Sequence, residues 1–362
     1  MKKPPREVCI LYFYTRDATF IRKDLEMLRS RYEVKECSFA ASEKWKTPFM
    51  FLTQFWFLLR QIPERKRMLI MVQFAGYHSF LPCMWARFTG MKSIVVAGGT
   101  DCVAFPSLKY GNFQNPSLAL FTRWTYQLCH VVSAVHEGLF YRKDQYYSEA
   151  ESEQGILQFL PEADFQKSVI FNGFDTVKFR LDKPWQERPE LSFLSISASL
   201  TDPVRMKLKG IDMVLRLAET MPQASFTLVG SESNENLKIQ PNVKIIPRVA
   251  NEELAAICNR HQYYLQLSIS EGFPNALCEA MACACIPIVS AVASMPEISA
   301  GFGGIARQRN IASVLQAVEE AIIKSADPEL PARISQSVEL RYSWERRKEG
   351  LLKLIEEIAE FL

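Results

Sequence analysis

The chain has 362 residues, 48% hydrophobic and 23% charged, with a net charge of +3. That composition excludes a disordered chain and leaves room for two domains, each with its own core. No apolar run reaches the roughly 20 residues that a membrane-spanning helix needs. The start, MKKPPREVCILYFY, does not read as a secretion signal. Nine scattered cysteines then read as reduced thiols, and a cytoplasmic protein is expected, with the inner face of the membrane open to it. Residues 1–100 hold 17 Lys and Arg against 8 Asp and Glu, whereas residues 183–362 hold 19 against 22. A basic first half suits peripheral contact with an anionic membrane or a phosphorylated acceptor, and equally a solvated face. No nucleic-acid partner is expected.

Short apolar runs alternate with helical patterns throughout, which predicts an α/β chain with mostly parallel sheets. In the first half, strands are expected near Val8–Tyr14, Glu33–Phe39, Met68–Gln73, Ser93–Ala97, Val131–Val135 and Ser168–Asn172. Helices are expected over Thr19–Arg31, Ser79–Thr89, Ser117–Cys129 and Glu137–Gln145. The apolar run Pro48–Leu59 has basic flanks at Lys44, Lys46, Arg60, Arg65, Lys66 and Arg67. It fits an interfacial helix or a core segment, and burial is the expectation because Thr53 and Gln54 are too few to make a wet face. The stretch DKPWQERPE around Asp182–Glu190 looks like a linker. Beyond it, strands are expected at Leu191–Ser197, Ser225–Val229, Val243–Ile246, Tyr264–Leu267 and Ile286–Ser290. Helices follow at Gly210–Thr220, Asn251–Asn259, Asn275–Ala284, Ile311–Ser325 and Ser343–Leu362.

The chemistry concentrates in Ser270–Ala282, SEGFPNALCEAMA. Gly272 and Pro274 break regular structure after Glu271, and Asn275 is expected to cap a helix that carries Glu279. Two carboxylates and the N–H groups of a helix end then face one pocket, which suits a sugar nucleotide: acids for hydroxyls, the helix end for the diphosphate. A second cluster, Arg205, Lys207, Lys209 and Gly210 in TDPVRMKLKGID, leads from a strand into a helix. Its cations fit neutralisation of a leaving diphosphate, or an ordinary basic turn.

The run Ser268–Glu297, SISEGFPNALCEAMACACIPIVSAVASMPE, resembles the signature of family-4 retaining glycosyltransferases of the GT-B fold, in which two glutamates are separated by seven residues. Lys209–Gly210 and the string FNGFDTVKF at Phe171–Phe179 add to the likeness. The resemblance implies two Rossmann-like domains facing each other across a cleft. Residues 1–182 would form the acceptor-side domain, with helix 343–362 packing back on it, and residues 183–342 the nucleotide-sugar domain. It further implies that Glu271 contacts the transferred sugar, Glu279 the ribose, and Arg205 and Lys209 the diphosphate. Backbone around Gly272, Phe273, Pro274 and Asn275 would line the pocket.

The sequence departs from the family where relatives carry a histidine, and reads AGGTD instead. Gly98, Gly99 and Asp101 are therefore candidates for the donor–acceptor junction, beside the alternative of a glycine turn with a capping Asp. His78 and His136 are acceptor-side candidates against a structural role. Arg248, beside Pro247 where relatives show glycine, is a candidate wall of the base pocket. No Asp-x-Asp clamp appears, so neither a metal nor another cofactor is expected. The implied activity is transfer of a sugar from a nucleotide-diphosphate donor to a glycan or lipid-linked hydroxyl with retention. The alternatives are a sugar-nucleotide epimerase of the same fold and a non-catalytic partner subunit.

Overall fold

The computed structural model describes residues 8–39, 47–197, 202–230 and 239–360. From the start, strands β1 (Cys9–Tyr14), β2 (Glu33–Ser38), β3 (Met68–Gln73), β4 (Lys92–Ala97) and β5 (Val131–Ala134) are joined by α1 (Thr19–Arg29), α2 (Thr47–Leu59), α3 (Tyr77–Thr89) and α4 (Pro116–Leu128). Two short strands, β6 (Arg142–Lys143) and β7 (Glu153–Gln154), form a small ladder of their own, followed by α5 (Ile156–Phe159) and β8 (Gln166–Val169). The first sheet is parallel, in the order β2-β1-β3-β4-β5-β8. Strands β3 and β5 are buried on both faces, which is why they read as unbroken apolar runs and not as alternations.

The alternation restarts with β9 (Ser192–Ile196), α6 (Pro203–Leu208), α7 (Ile211–Thr220), β10 (Ser225–Val229), β11 (Val243–Ile246), α8 (Asn251–Cys258), β12 (Tyr263–Gln266) and α9 (Asn275–Ala282). It continues with β13 (Ile286–Ser290), α10 (Met295–Ser299), β14 (Gly304–Ala306), α11 (Ile311–Lys324), α12 (Leu330–Tyr342) and α13 (Trp344–Ala359). The second sheet, also parallel, runs β11-β10-β9-β12-β13-β14.

Two compact units result. One holds the residues up to Tyr141, then Gln154–Phe171 and the chain from Glu345 on; the other holds Arg142–Glu153 and Asn172–Trp344. Helix α13 joins the first unit through Arg347, whose guanidinium donates to both oxygens of Asp24 at 2.6 and 2.7 Å and to the carbonyls of Ile170 and Phe171.

Four local expectations need correction. Glu137–Gln145 is not a helix: after a single 3-10 turn at Glu137–Leu139 the chain enters β6. The stretch around Asp182–Glu190, expected as a linker, is exposed along most of its length but anchored at two residues. Trp185 is buried and donates to the Gln262 carbonyl, and Arg188 donates to the carbonyls of Lys183, His261 and Cys283 and to Asn259 Oδ1. Helix α12 was not expected. Helix α2 is not swallowed by the core: it buries only Gln54, which donates to the His78 carbonyl at 2.9 Å, and Leu58. Phe49, Leu52, Phe55 and Trp56 stand exposed instead. Lys44 and Lys46 lie outside the described residues.

Candidate active site

The second unit brings the acidic turn and one of the basic residues together. Gly210 begins α7 in the left-handed region, at φ 71°, and a Cβ on it would stand 2.0 Å from the Leu267 carbonyl oxygen. Only glycine lets the α6–α7 junction lie this close to the end of β12. The Ile269 amide then donates to the Leu208 carbonyl at 2.8 Å. With the two loops fastened, Lys209 Nζ reaches Glu271 Oε1 at 2.7 Å.

The same oxygen accepts from Ser268 Oγ at 2.7 Å and from Gln266 Nε2 at 2.9 Å. Glu271 is buried to 9% exposure, and three donors on Oε1 fix its rotamer. None of these bonds uses Oε2, which leaves one carboxylate oxygen for a hydroxyl. Gln266 was not singled out from sequence, although a glutamine closing the apolar strand YYLQ is a visible anomaly. Its Oε1 is buried with no partner among the described residues.

Glu279 lies on α9, five residues into the helix. Close packing around its carboxyl raises the pKa to about 7, and the charge of Lys178 only partly opposes this. Burial pushes the Tyr264 hydroxyl pKa well up, and Cys258, Glu271 and Glu279 push it further. The cap differs from expectation. Pro274 is the cap residue and Asn275 the first helical one, with Asn275 Oδ1 buried and bonded to nothing described. Gly272 and Phe273 complete the turn, and Phe273 packs edge-on against Tyr342 at 5.2 Å.

Two candidate residues stand apart. Arg205 is on α6, its side chain 68% exposed, 3.5 Å from Asp202. Arg248 is exposed beyond β11, and no described bond links it to Glu271 or Lys209.

A segment that sequence reasoning placed elsewhere supports the turn. Arg142, held by Asp144 at 2.6 Å, donates to Ser270 Oγ at 3.4 Å, and Tyr146 donates to the Leu267 carbonyl at 3.3 Å. Tyr147 lies beneath Lys207 and Arg309, at 5.2 and 6.0 Å. The signal available in the sequence was the pair Tyr146–Tyr147 in a segment otherwise polar.

The first unit contains a cavity of about 770 Å³ lined by, among others, Arg16, Phe74, Tyr77, His78, Asp101 and Asn112. It lies past the carboxyl ends of the strands, where open parallel sheets bind ligands. Phe74 takes φ 65°, and its ring fills the space a Cβ on Gly98 would need, 1.7 Å away. Asp101 Oδ1 accepts from the Gly98 and Gly99 amides at 3.2 and 3.0 Å, and Oδ2 from the Ala75 amide at 3.0 Å and Tyr126 at 2.8 Å. Asp101 is 1% exposed, so its carboxylate braces the loop. This is the arrangement of the glycine turn with a capping Asp, one of the two readings the sequence offers for Gly98, Gly99 and Asp101. His78 is also braced, with Nε2 2.8 Å from the Gln73 carbonyl and its pKa drawn down to about 4 by burial. His136 accepts from the Gly138 amide at 3.0 Å.

Residues 204–341, the stretch that carries Arg205, Lys209, Glu271 and Glu279, match the family described as "Glycosyl transferases group 1". One subunit of the human phosphatidylinositol N-acetylglucosaminyltransferase is 22% identical over 206 residues, covering 53% of this chain. The match spans 41% of the length of that relative. Among solved structures, sucrose-phosphate synthase from Thermosynechococcus elongatus superposes with a TM-score of 0.71 at 13% identity, covering 97% of this chain and 99% of that one. Anabaena Alr3699/HepE, in complex with UDP and glucose, gives 0.64 at 12% identity, covering 97% and 100%. The fold is thus the α/β fold of GT-B glycosyltransferases, with two parallel-sheet, Rossmann-like units.

Proposed function

We propose that the chain is a retaining, family-4 glycosyltransferase that moves a sugar from a nucleoside-diphosphate donor to a hydroxyl of a glycan or lipid-linked acceptor. The observation that carries this is the 2.7 Å contact of Lys209 with Glu271 inside the segment that matches group 1 glycosyl transferases. Without donor, the ammonium and carboxylate satisfy each other. With donor, Lys209 turns to the diphosphate and Glu271 Oε2 accepts from a sugar hydroxyl, while Gln266 and Ser268 keep the carboxylate in place. Glu279 takes the ribose hydroxyls, and Arg205, exposed in the free chain, swings to the phosphates. Positive charge preorganised where the leaving diphosphate gains charge supplies the main stabilisation, with no metal required. The leaving phosphate takes the acceptor's proton, so no protein nucleophile is invoked.

The cavity beside Phe74 and Tyr77 is the acceptor pocket in this scheme. Asp101, His78 and the Gly98–Gly99 turn act there as positioning groups. The nine buried thiols fit a reducing compartment, the cytoplasm.

A thermal-shift panel of UDP-, GDP- and ADP-sugars identifies the donor, since a ligand of the folded state raises its melting temperature. Incubation with that donor then yields transfer or slow hydrolysis, with the product anomer matching the donor's. Glu271→Gln lowers turnover by roughly 10²-fold while nucleotide affinity is kept. A free sugar nucleotide of altered configuration would indicate an epimerase. Binding without turnover in both proteins would indicate a non-catalytic partner protein.

A further inference from the structure

We infer that the exposed face formed by α2, α3 and α4 of the first unit docks on an anionic lipid bilayer. A surface helix ordinarily turns polar residues to water. Helix α2 turns Phe49 (61% exposed), Leu52 and Trp56 (51%) outward, at a spacing that places them on one side. Phe88 of α3 (79%) and Leu120 and Trp124 of α4 are exposed as well. Ring contacts make the three helices one aromatic layer: Phe55 meets Trp85 at 5.6 Å, and Phe80 meets Trp124 at 5.2 Å. Half of the large hydrophobic side chains that the described residues expose lie on these three helices, an apolar patch that marks an interaction site and not scattered surface.

Charge selects the occupant. Arg60, Arg65, Lys66 and Arg87 follow directly on α2 or close α3, and among the described residues none of them has an ion pair. An apolar helix face with tryptophan at its edge and free cations at its end is the pattern of a helix lying in the headgroup layer. A second copy of this chain would instead oppose one basic surface to another. No helix of the described residues is long and apolar enough to cross a membrane, so contact from the side is what α2 offers. The inner side of α2 bonds through Gln54 to the carbonyl of His78, a residue of the first-unit cavity, so the docked face lies next to that cavity. The inference rests on this face alone and holds whether or not the chain transfers sugar.

The test is co-sedimentation of the full chain with vesicles of phosphatidylcholine, or of phosphatidylcholine and phosphatidylglycerol in equal parts. Tryptophan emission is read in parallel. The expected result is binding to the mixed vesicles about tenfold or more tighter than to phosphatidylcholine alone, with a blue shift, weakened by salt. The paired substitutions Leu52→Ser with Trp56→Ser, and Arg65→Glu with Lys66→Glu, each weaken binding about tenfold or more while circular dichroism melting is kept. Wild-type chain that stays in the supernatant with anionic vesicles overturns the inference, as does binding unchanged in both paired variants. Self-association in sedimentation equilibrium, abolished by the Leu52 and Trp56 substitutions and unaccompanied by vesicle binding, assigns the face to a second copy and also overturns it.

Discussion

Glu271 and Glu279 are one signature in the sequence and two different acids in the structure. Glu271 gathers three donors on a single oxygen and is held as an acceptor. Glu279 is crowded by protein, and its pKa stands at about 7 against an ordinary 4.5. Because its folded-state pKa is raised, its contribution to stability is complete below about 4.5 and is lost as pH climbs through 7. Glu279→Gln removes that titration. In urea unfolding from pH 4.5 to 8, the wild type is expected to lose stability relative to the variant as pH rises. A difference independent of pH would mean that the carboxyl is not desolvated. Asp101 is a third kind of acid: both its oxygens are taken by four bonds that hold the glycine turn.

At the scale of elements, the site depends on how tightly the α6–α7 junction lies on the end of β12. Gly210→Ala puts a methyl 2.0 Å from the Leu267 oxygen at a positive φ, so the junction must move. The expected cost is roughly 1–3 kcal/mol in denaturant unfolding, accompanied by weaker diphosphate binding as Lys209 is displaced. A variant with native stability and affinity would show that the close approach is unimportant. Strands such as MLIMVQ and IPIVS were legible because doubly buried parallel strands are continuous apolar runs, too short here to be buried helices. The segment after Glu137 was not, since Arg142, Asp144 and Tyr146 are placed by Ser270, Ala293 and Leu267, more than a hundred residues away. Helix α2 misled for a related reason. Composition shows that a run is apolar, but which side meets neighbours is decided by the elements that pack on it.

For the whole molecule, the alternation of strands and helices made two parallel sheets readable, and the string around Glu271 pointed to the turn that the structure closes on Lys209. Of the first unit's cavity only His78 and Asp101 stood out, because the rest of its lining, Arg16, Phe74 and Asn112 among it, consists of ordinary residues in separate loops. The chain's two ends are tied within the first unit by the buried Asp24–Arg347 pair, both side chains under 5% exposed. Asp24→Asn leaves a buried guanidinium without its counter-charge and is expected to cost roughly 3–5 kcal/mol, read as an earlier guanidinium midpoint of the first transition. A loss under about 1 kcal/mol would mean that water reaches the pair.

The central claim is that Lys209 and Glu271 exchange their mutual contact for the two halves of an activated sugar. Calorimetric titration of the cognate nucleoside diphosphate and its sugar conjugate into wild type, Lys209→Ala and Glu271→Gln tests it directly. Lys209→Ala should weaken both ligands by about tenfold or more. Glu271→Gln should keep the nucleoside diphosphate and lose the added affinity of the sugar. Wild-type affinities for both ligands in both variants would contradict the claim.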